Sequence, residues 1–193
     1  MGKRAANKIR NKQEIIDKAI QLFIEKGDEA TNITDIIAST DLATGTFYNY
    51  FKNKAEIWDK IIDRLMQKHA HERERNQATT IYDFIYKTLY PIISAVDKYP
   101  FRQLITKNPS SFREAYFRNE EIENNLAIFE RDLRQTELLE NLPSHHYRMT
   151  TYAVLGACLE ILIQSYLRKD GYTKEQITEY IALILENGLG CST

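Results

Sequence analysis

The chain has 193 residues, 43% of them hydrophobic and 27% charged, with a formal net charge of −1. That hydrophobic share buries a core in one ordinary domain or two small ones, which excludes a chain disordered throughout. The near-zero charge excludes a globally basic nucleic-acid or membrane binder, so any such signal must be local.

In chain order the first such signal is the N-terminus. Residues 1–68 carry 12 Lys+Arg against 10 Asp+Glu, which leaves +2 there and −3 for the remainder. Lys3, Arg4, Lys8, Arg10 and Lys12 all precede the first acid, Glu14. They form a basic arm suited to phosphates or a minor groove, or else a solvated tail. A helix follows with Ile15, Ile16, Ala19, Ile20, Phe23 and Ile24 on one face, and Gly27 stops it.

Residues 32–54 read as two short helices joined by a tight turn. Asn32 with Asp35 caps the first of them, and Ile33, Ile36, Ile37, Leu42, Phe47 and Phe51 supply the apolar contacts that fix their angle. Asn53 with Glu56 opens a fourth helix that buries Ile57, Trp58, Ile61, Ile62, Leu65 and Met66 and runs into the charged stretch 71–75, a domain boundary. Thr80 with Asp83 opens the next, whose inner face is Ile81, Phe84, Ile85, Leu89, Ile92, Ile93 and Val96, with a bend expected at Pro91.

Pro100 and Pro109 bracket a short helix. Ser111 with Glu114 caps its successor, which continues through Ile122, Leu126, Phe129 and Leu133 with a break near Asn119. Two further helices span 144–169, ended by Gly171, and 173–185, opened by the pair Thr173 and Gln176. No segment alternates as a strand does, so the expected fold is all-α.

The second short helix carries the chemistry. Thr44, Thr46, Tyr48, Asn49 and Tyr50 face outward with groups that hydrogen-bond to phosphates or base edges, and Gly45 removes bulk where a helix approaches DNA. Lys54, with Lys52 beside it, stands at the start of the following helix, where an ammonium and free amides both attract a phosphate. Asn32 and Thr34 on the preceding short helix complete the candidate DNA-binding set.

This stretch, with Gly27 and the run Phe-Tyr-Asn-Tyr-Phe-Lys-Asn-Lys at 47–54, resembles the TetR family of bacterial transcriptional regulators over roughly residues 10–60. The resemblance implies an all-helical homodimer with an N-terminal three-helix helix-turn-helix DNA-binding domain. It also implies a C-terminal helical domain that binds a small effector and dimerises through its last two helices, effector binding usually releasing DNA. By the family's pattern Tyr48, Tyr50 and Lys54 contact phosphates, and Thr44, Thr46 and Asn49 lie nearer base edges. Asp41 stands where a turn glycine is common, and Ala43 where Ser or Thr often caps the recognition helix, so that cap moves to Thr44 or is lost. The expected domains are 1–54 for DNA binding, 55–75 as connecting helix and 76–193 for effector binding and dimerisation.

In the helix 144–169, Ala153, Gly156 and Ala157 allow close approach of a partner helix. With Glu160, and with Ile177, Tyr180, Ile181 and Ile184 of the last helix, they are the candidate interface of a four-helix bundle between two copies, an intramolecular core being the alternative. Tyr82, Tyr86 and Tyr90 share one helical stripe beside the apolar face, and Tyr99 is another polar-tipped candidate. Tyr86, Tyr90, Arg102, Tyr116 and Tyr152 are the candidate effector residues, phenols and a guanidinium suited to an aromatic or anionic ligand, or side chains packed at the core edge.

Cys158 and Cys191 give neither a disulfide framework nor a metal cluster, and read as free thiols of a reducing cytoplasm. His145 with His146, and His69 with His71, lack metal-ligand spacing, and no cofactor or catalytic motif is recognisable among only 7 glycines. No apolar leader opens the chain, and its most hydrophobic stretch, 154–163, is too short to span a bilayer and contains Glu160. The expectation is a cytoplasmic repressor, not an enzyme, that binds a pseudo-palindromic double-stranded DNA operator as a homodimer and answers to a small ligand. The alternatives are a helical protein-interaction module docking through the bihelical unit, and a small helical enzyme.

Overall fold

A computed structural model describes residues 2–67, 78, 80–135 and 143–190. Every regular element among them is helical: α1 Lys3–Glu25, α2 Ile33–Ala38, a 3-10 helix Thr44–Asn49, α3 Lys54–Gln67, α4 Ile81–Val96, α5 Phe101–Lys107, α6 Pro109–Arg118, α7 Glu120–Gln135, α8 Ser144–Arg168 and α9 Lys174–Gly190. The charged stretch 71–75, His69, His71 and Cys191 lie outside the described residues. The helices fall into two compact units, the first Met1–Arg64 with Gln103–Asn119, the second Leu65–Arg102 with Glu120–Thr193.

In the first unit the apolar stripe of α1 is buried at Ile15, Ile16, Ala19, Ile20 and Phe23, as are Ile36 and Ile37 of α2 and Ile57, Trp58, Ile61 and Ile62 of α3. Phe23 stacks on Trp58 at 5.1 Å, and Trp58 meets Phe112 of α6 edge-on at 6.5 Å. The expected caps form at α2, where Asp35 N–H donates to Asn32 and Asn32 N–H to the Asp35 carboxylate. At α3, Glu56 N–H donates to Asn53 Oδ1 at 3.1 Å. The basic residues at the N-terminus are not a free arm: α1 begins at Lys3 and carries them on its first turns.

α6 also departs from the sequence reading. It begins at Pro109, whose fixed φ suits the first helical position. Ser111 therefore lies inside the helix, and its hydroxyl donates to the Asp28 carboxylate instead of capping. Asn108 stands at the N-cap without capping, because its side chain is committed elsewhere. Its amide donates to Phe23 O at 2.9 Å and Leu104 O at 3.2 Å, and its oxygen accepts from Asp28 N–H. Arg118 and Asn119 fasten the far end of α6 to Asp59 and Asp63 of α3. We expect Asn108→Ala to cost about 1–3 kcal/mol in urea unfolding, because buried backbone groups of two segments lose their partner. A change under about 0.5 kcal/mol, the scale of an ordinary surface substitution, would contradict this role.

In the second unit α4 lies along α9, and α8 packs against α7 and α9. α4 runs unbroken through Pro91, and α6 gives way to α7 at Asn119, where the backbone turns extended. Phe84 packs on Phe129 at 5.2 Å. Tyr166 of α8 donates to Asp97 at the end of α4 under the Arg102 guanidinium, and burial pushes its phenol pKa up. Cys158 is buried, which pushes its thiol up to about 12 and keeps it neutral. His146–Arg168 is long and apolar enough to cross a membrane by length and composition, but half of its most apolar window is covered by this chain.

Candidate nucleic-acid interface

The second helix of the bihelical element forms as a 3-10 helix because its local sequence resists a regular α-turn. Ala43 at its start offers no side-chain cap, so the cap is lost, and Thr44, Gly45 and Thr46 are weak helix formers. Tertiary burial compensates. Phe47 is fully buried and Phe51 nearly so, their rings 5.8 Å apart, and this ridge sets which side chains face outward. Tyr48 is 65% exposed, which excludes a core role for it, and Asn49 and Gly45 are also exposed. Thr46 and Tyr50 are partly exposed, and Thr44 is the first residue of the helix. A Cβ built on Gly45 meets nothing within 4 Å, so no packing within the chain requires glycine there.

Three residues of α1 that sequence reasoning did not single out for this site support the short helix. Asn11 Nδ2 donates to the Tyr50 hydroxyl at 3.2 Å, and Lys12 Nζ lies 5.5 Å from the centre of the Phe51 ring. Glu14 accepts from Asp41 N–H at 3.1 Å, satisfying the turn where the expected glycine is absent. No periodicity in the sequence advertises these contacts, because they join residues 27 to 39 positions apart.

Lys54 is placed differently from the expectation of a free phosphate ligand. Its ammonium donates to Asp28 O at 2.6 Å and Thr31 O at 2.8 Å and lies 3.0 Å from an Asp28 carboxylate oxygen, pinning the loop before α2. Lys52 beside it is exposed. Asn32 and Thr34 are exposed at the start of α2, with Asn32 Oδ1 accepting from Asp35 N–H. The Asp35 carboxyl is held below its ordinary pKa by its hydrogen bond from Lys26.

The candidate effector residues are divided between the two units. Tyr86 stacks between Tyr82 and Tyr90 at 5.8 and 5.4 Å in a half-exposed column on α4, where partial burial raises its phenol pKa. Tyr90 at the column's end donates to Glu175 and faces Lys174. Arg102 is paired with Asp97. Tyr152 is exposed on α8 beside Arg148, which also pairs with Glu123 and Glu130. Tyr116 is buried against Phe112 in the first unit.

The candidate dimer residues divide in the same way. Ala153, Ala157, Glu160, Tyr180 and Ile184 are exposed and Gly156 partly so, while Ile177 and Ile181 are buried in the chain's own core. The helical period rotates those two isoleucines inward, and Ile177 forms the floor of a cleft with Ile161, Tyr172, Gln176 and Tyr180. Leu183 and Tyr172, also exposed, extend the outer apolar face. Among the described residues no group of acidic, histidine or cysteine side chains has the arrangement of a metal site.

The family model of bacterial regulatory proteins, tetR family, matches residues 15–61. The negative transcriptional regulator IcaR of the biofilm operon icaADBC in Staphylococcus epidermidis is 32% identical over 89 residues, 42% of this chain and 46% of that protein. The transcriptional repressor ComR of Escherichia coli is 31% identical over 71 residues, 37% of this chain and 34% of that one. The matched part thus spans less than half the length of these curated relatives.

Among solved structures, a protein described as a TetR-family transcriptional regulator from Syntrophomonas wolfei shares the fold with a TM-score of 0.74 at 21% identity, over 97% of this chain and 100% of that one. A regulator of the TerR/AcrR family from Aquifex aeolicus gives a TM-score of 0.57 at 26% identity, over 91% and 98%. The tetR match lies across the Phe47–Phe51 ridge and the helices that support it, and the shared fold extends over nearly the whole length. Residues 15–61 thus match the tetR family of bacterial regulatory proteins, and the chain as a whole has the fold of these solved regulators.

Proposed function

We propose that the chain is a repressor that binds a pseudo-palindromic operator as a homodimer in the cytoplasm and is released from it by a small ligand. The observation that carries this reading is the outward row Thr46, Tyr48 and Asn49 on a helix whose opposite side is buried through Phe47. Phenol and hydroxyl groups there meet phosphates, and the Asn49 amide suits the adenine edge in the major groove. The relatives IcaR and ComR, named as a negative regulator and a repressor, support repression over activation.

Residues 1–54 carry DNA binding, 55–75 connect, and 76–193, apart from the stretch 103–119 that packs into the first unit, bind the effector and dimerise. In the second copy the exposed apolar positions of α8 and α9 meet their equivalents about a two-fold axis. That spaces the two 3-10 helices roughly 34–36 Å apart, or a multiple of it, to match successive major grooves. Tyr86 and Tyr90 are the effector candidates that share one surface, and their stacked phenols suit an aromatic ligand. Motion in the second unit reaches the DNA-binding unit along the chain where it passes between them, after Arg64, Arg102 and Asn119.

Selection of bound duplexes from a random-oligonucleotide pool tests the reading. Enrichment of one inverted repeat with half-sites about 10–10.5 base pairs apart, or a multiple, is the expected result. Enrichment of no sequence, or of a single unrepeated half-site, would contradict it.

A further inference from the structure

We infer that Asn11 is a positioning residue for DNA binding: its amide occupies the Tyr50 oxygen and so reserves the Tyr50 hydroxyl hydrogen for a DNA phosphate. The inference rests on the proposed phosphate contact of Tyr50. A phenol has a single hydrogen to donate, and its oxygen accepts. Asn11 Nδ2 donates to that oxygen at 3.2 Å, so the hydrogen is left for another acceptor. An oxygen that accepts one hydrogen bond is polarised to donate a stronger one. A carboxylate at position 11 would reverse this, taking the hydrogen for itself and setting lone pairs and a negative charge toward the phosphate.

The arrangement is built from α1 and not from the DNA-reading helix. The 3-10 helix is a short run with no side-chain cap at Ala43, so its own backbone does little to fix where Tyr50 points. The grips come from α1: Asn11 on Tyr50, Lys12 over Phe51, and Glu14 on the turn at Asp41. Of the three, only Asn11 touches a side chain assigned to DNA. The Asn11–Tyr50 bond is partly exposed, and it sets the donor direction of the phenol.

The test is a double-mutant cycle of Asn11→Ala and Tyr50→Phe, read as affinity for mixed-sequence duplex DNA at low salt. Phosphate contacts are independent of sequence, so no operator is needed. Tyr50→Phe is expected to weaken binding about fivefold, the scale of one hydrogen bond. Asn11→Ala should weaken it about two- to fivefold in the natural background and leave it unchanged within error when Tyr50 is already phenylalanine. Asn11→Asp should weaken it more than Asn11→Ala, and Asn11→Gln should restore part of the loss. An equal effect of Asn11→Ala in both backgrounds would mark a merely structural role and overturn the inference, as would an Asn11→Asp protein that binds as well as Asn11→Ala. Unchanged affinity in Tyr50→Phe alone would instead remove the phosphate contact on which the inference rests.

Discussion

Replacing Phe47 with alanine is expected to cost about 3–5 kcal/mol of unfolding free energy, because the ring is fully buried and its removal leaves a cavity under the DNA-reading helix. That is a large share of the roughly 5–15 kcal/mol that holds an ordinary domain together. The loss is local in its origin. Phe47 meets Phe51 and the edge of Tyr48, and the 3-10 helix has no cap of its own to fall back on. DNA affinity should therefore collapse at temperatures where the rest of the chain is still folded by circular dichroism. Tyr48→Ala is the matched control: it removes an exposed ring, so stability should change by no more than about 0.5 kcal/mol while DNA affinity still falls. If Phe47→Ala bound DNA as the natural protein does, the ridge would not be what presents the reading side chains.

The larger effect on operator binding is expected from charge on the outer face of α8 and α9. Tyr180 and Ile184 are exposed at 58% and 48%, so glutamate at both positions removes nothing from the chain's own core. In the proposed dimer those positions face their equivalents, and four carboxylates brought together without partners would prevent association. The double variant Tyr180→Glu with Ile184→Glu should sediment as a folded monomer. It should bind the operator about 10²–10⁴-fold more weakly, since two half-sites are no longer engaged by one particle. A variant that remained dimeric would move the interface elsewhere. Ile177→Glu would not make this distinction, because that residue is buried within the chain and its loss would damage the fold.

Much of the fold was legible because local rules set it. The helical period identified the inner faces of α1, α3 and α4, and the caps at Asn32, Thr80 and Thr173 form at the positions that their spacing predicts. The same period could not tell a face buried in the chain from one left for a partner, which is why Ile177 and Ile181 were grouped with Tyr180 and Ile184. Local rules also failed where a side chain had a distant competitor. Ser111 has the spacing of a cap residue, yet its hydroxyl goes to Asp28 across 83 positions of sequence. Lys54 has the place of a phosphate ligand, yet the loop before α2 takes its ammonium.

The reading helix shows the same division. Its outward residues were identifiable because Phe47 and Phe51 mark the inward side by spacing alone. Its 3-10 geometry and its dependence on Asn11 and Glu14 were not, since both follow from tertiary contacts that compensate for the missing cap at Ala43. The scattered effector tyrosines were grouped by residue type, and type alone carries no information about which unit a side chain joins. Tyr116 is the clearest case, because α6 joins the DNA-binding unit although α5 and α6 follow α4 in sequence.

The most direct measurement is a fluorescence-anisotropy titration of the protein against the DNA upstream of its own gene and a scrambled duplex of equal length, at two salt concentrations. Tighter binding to the upstream DNA, two protomers per site, and affinity for both duplexes that falls steeply as salt rises are the expected results. No binding to either duplex at the lower salt concentration would contradict the assignment of residues 32–54 as a DNA-reading element.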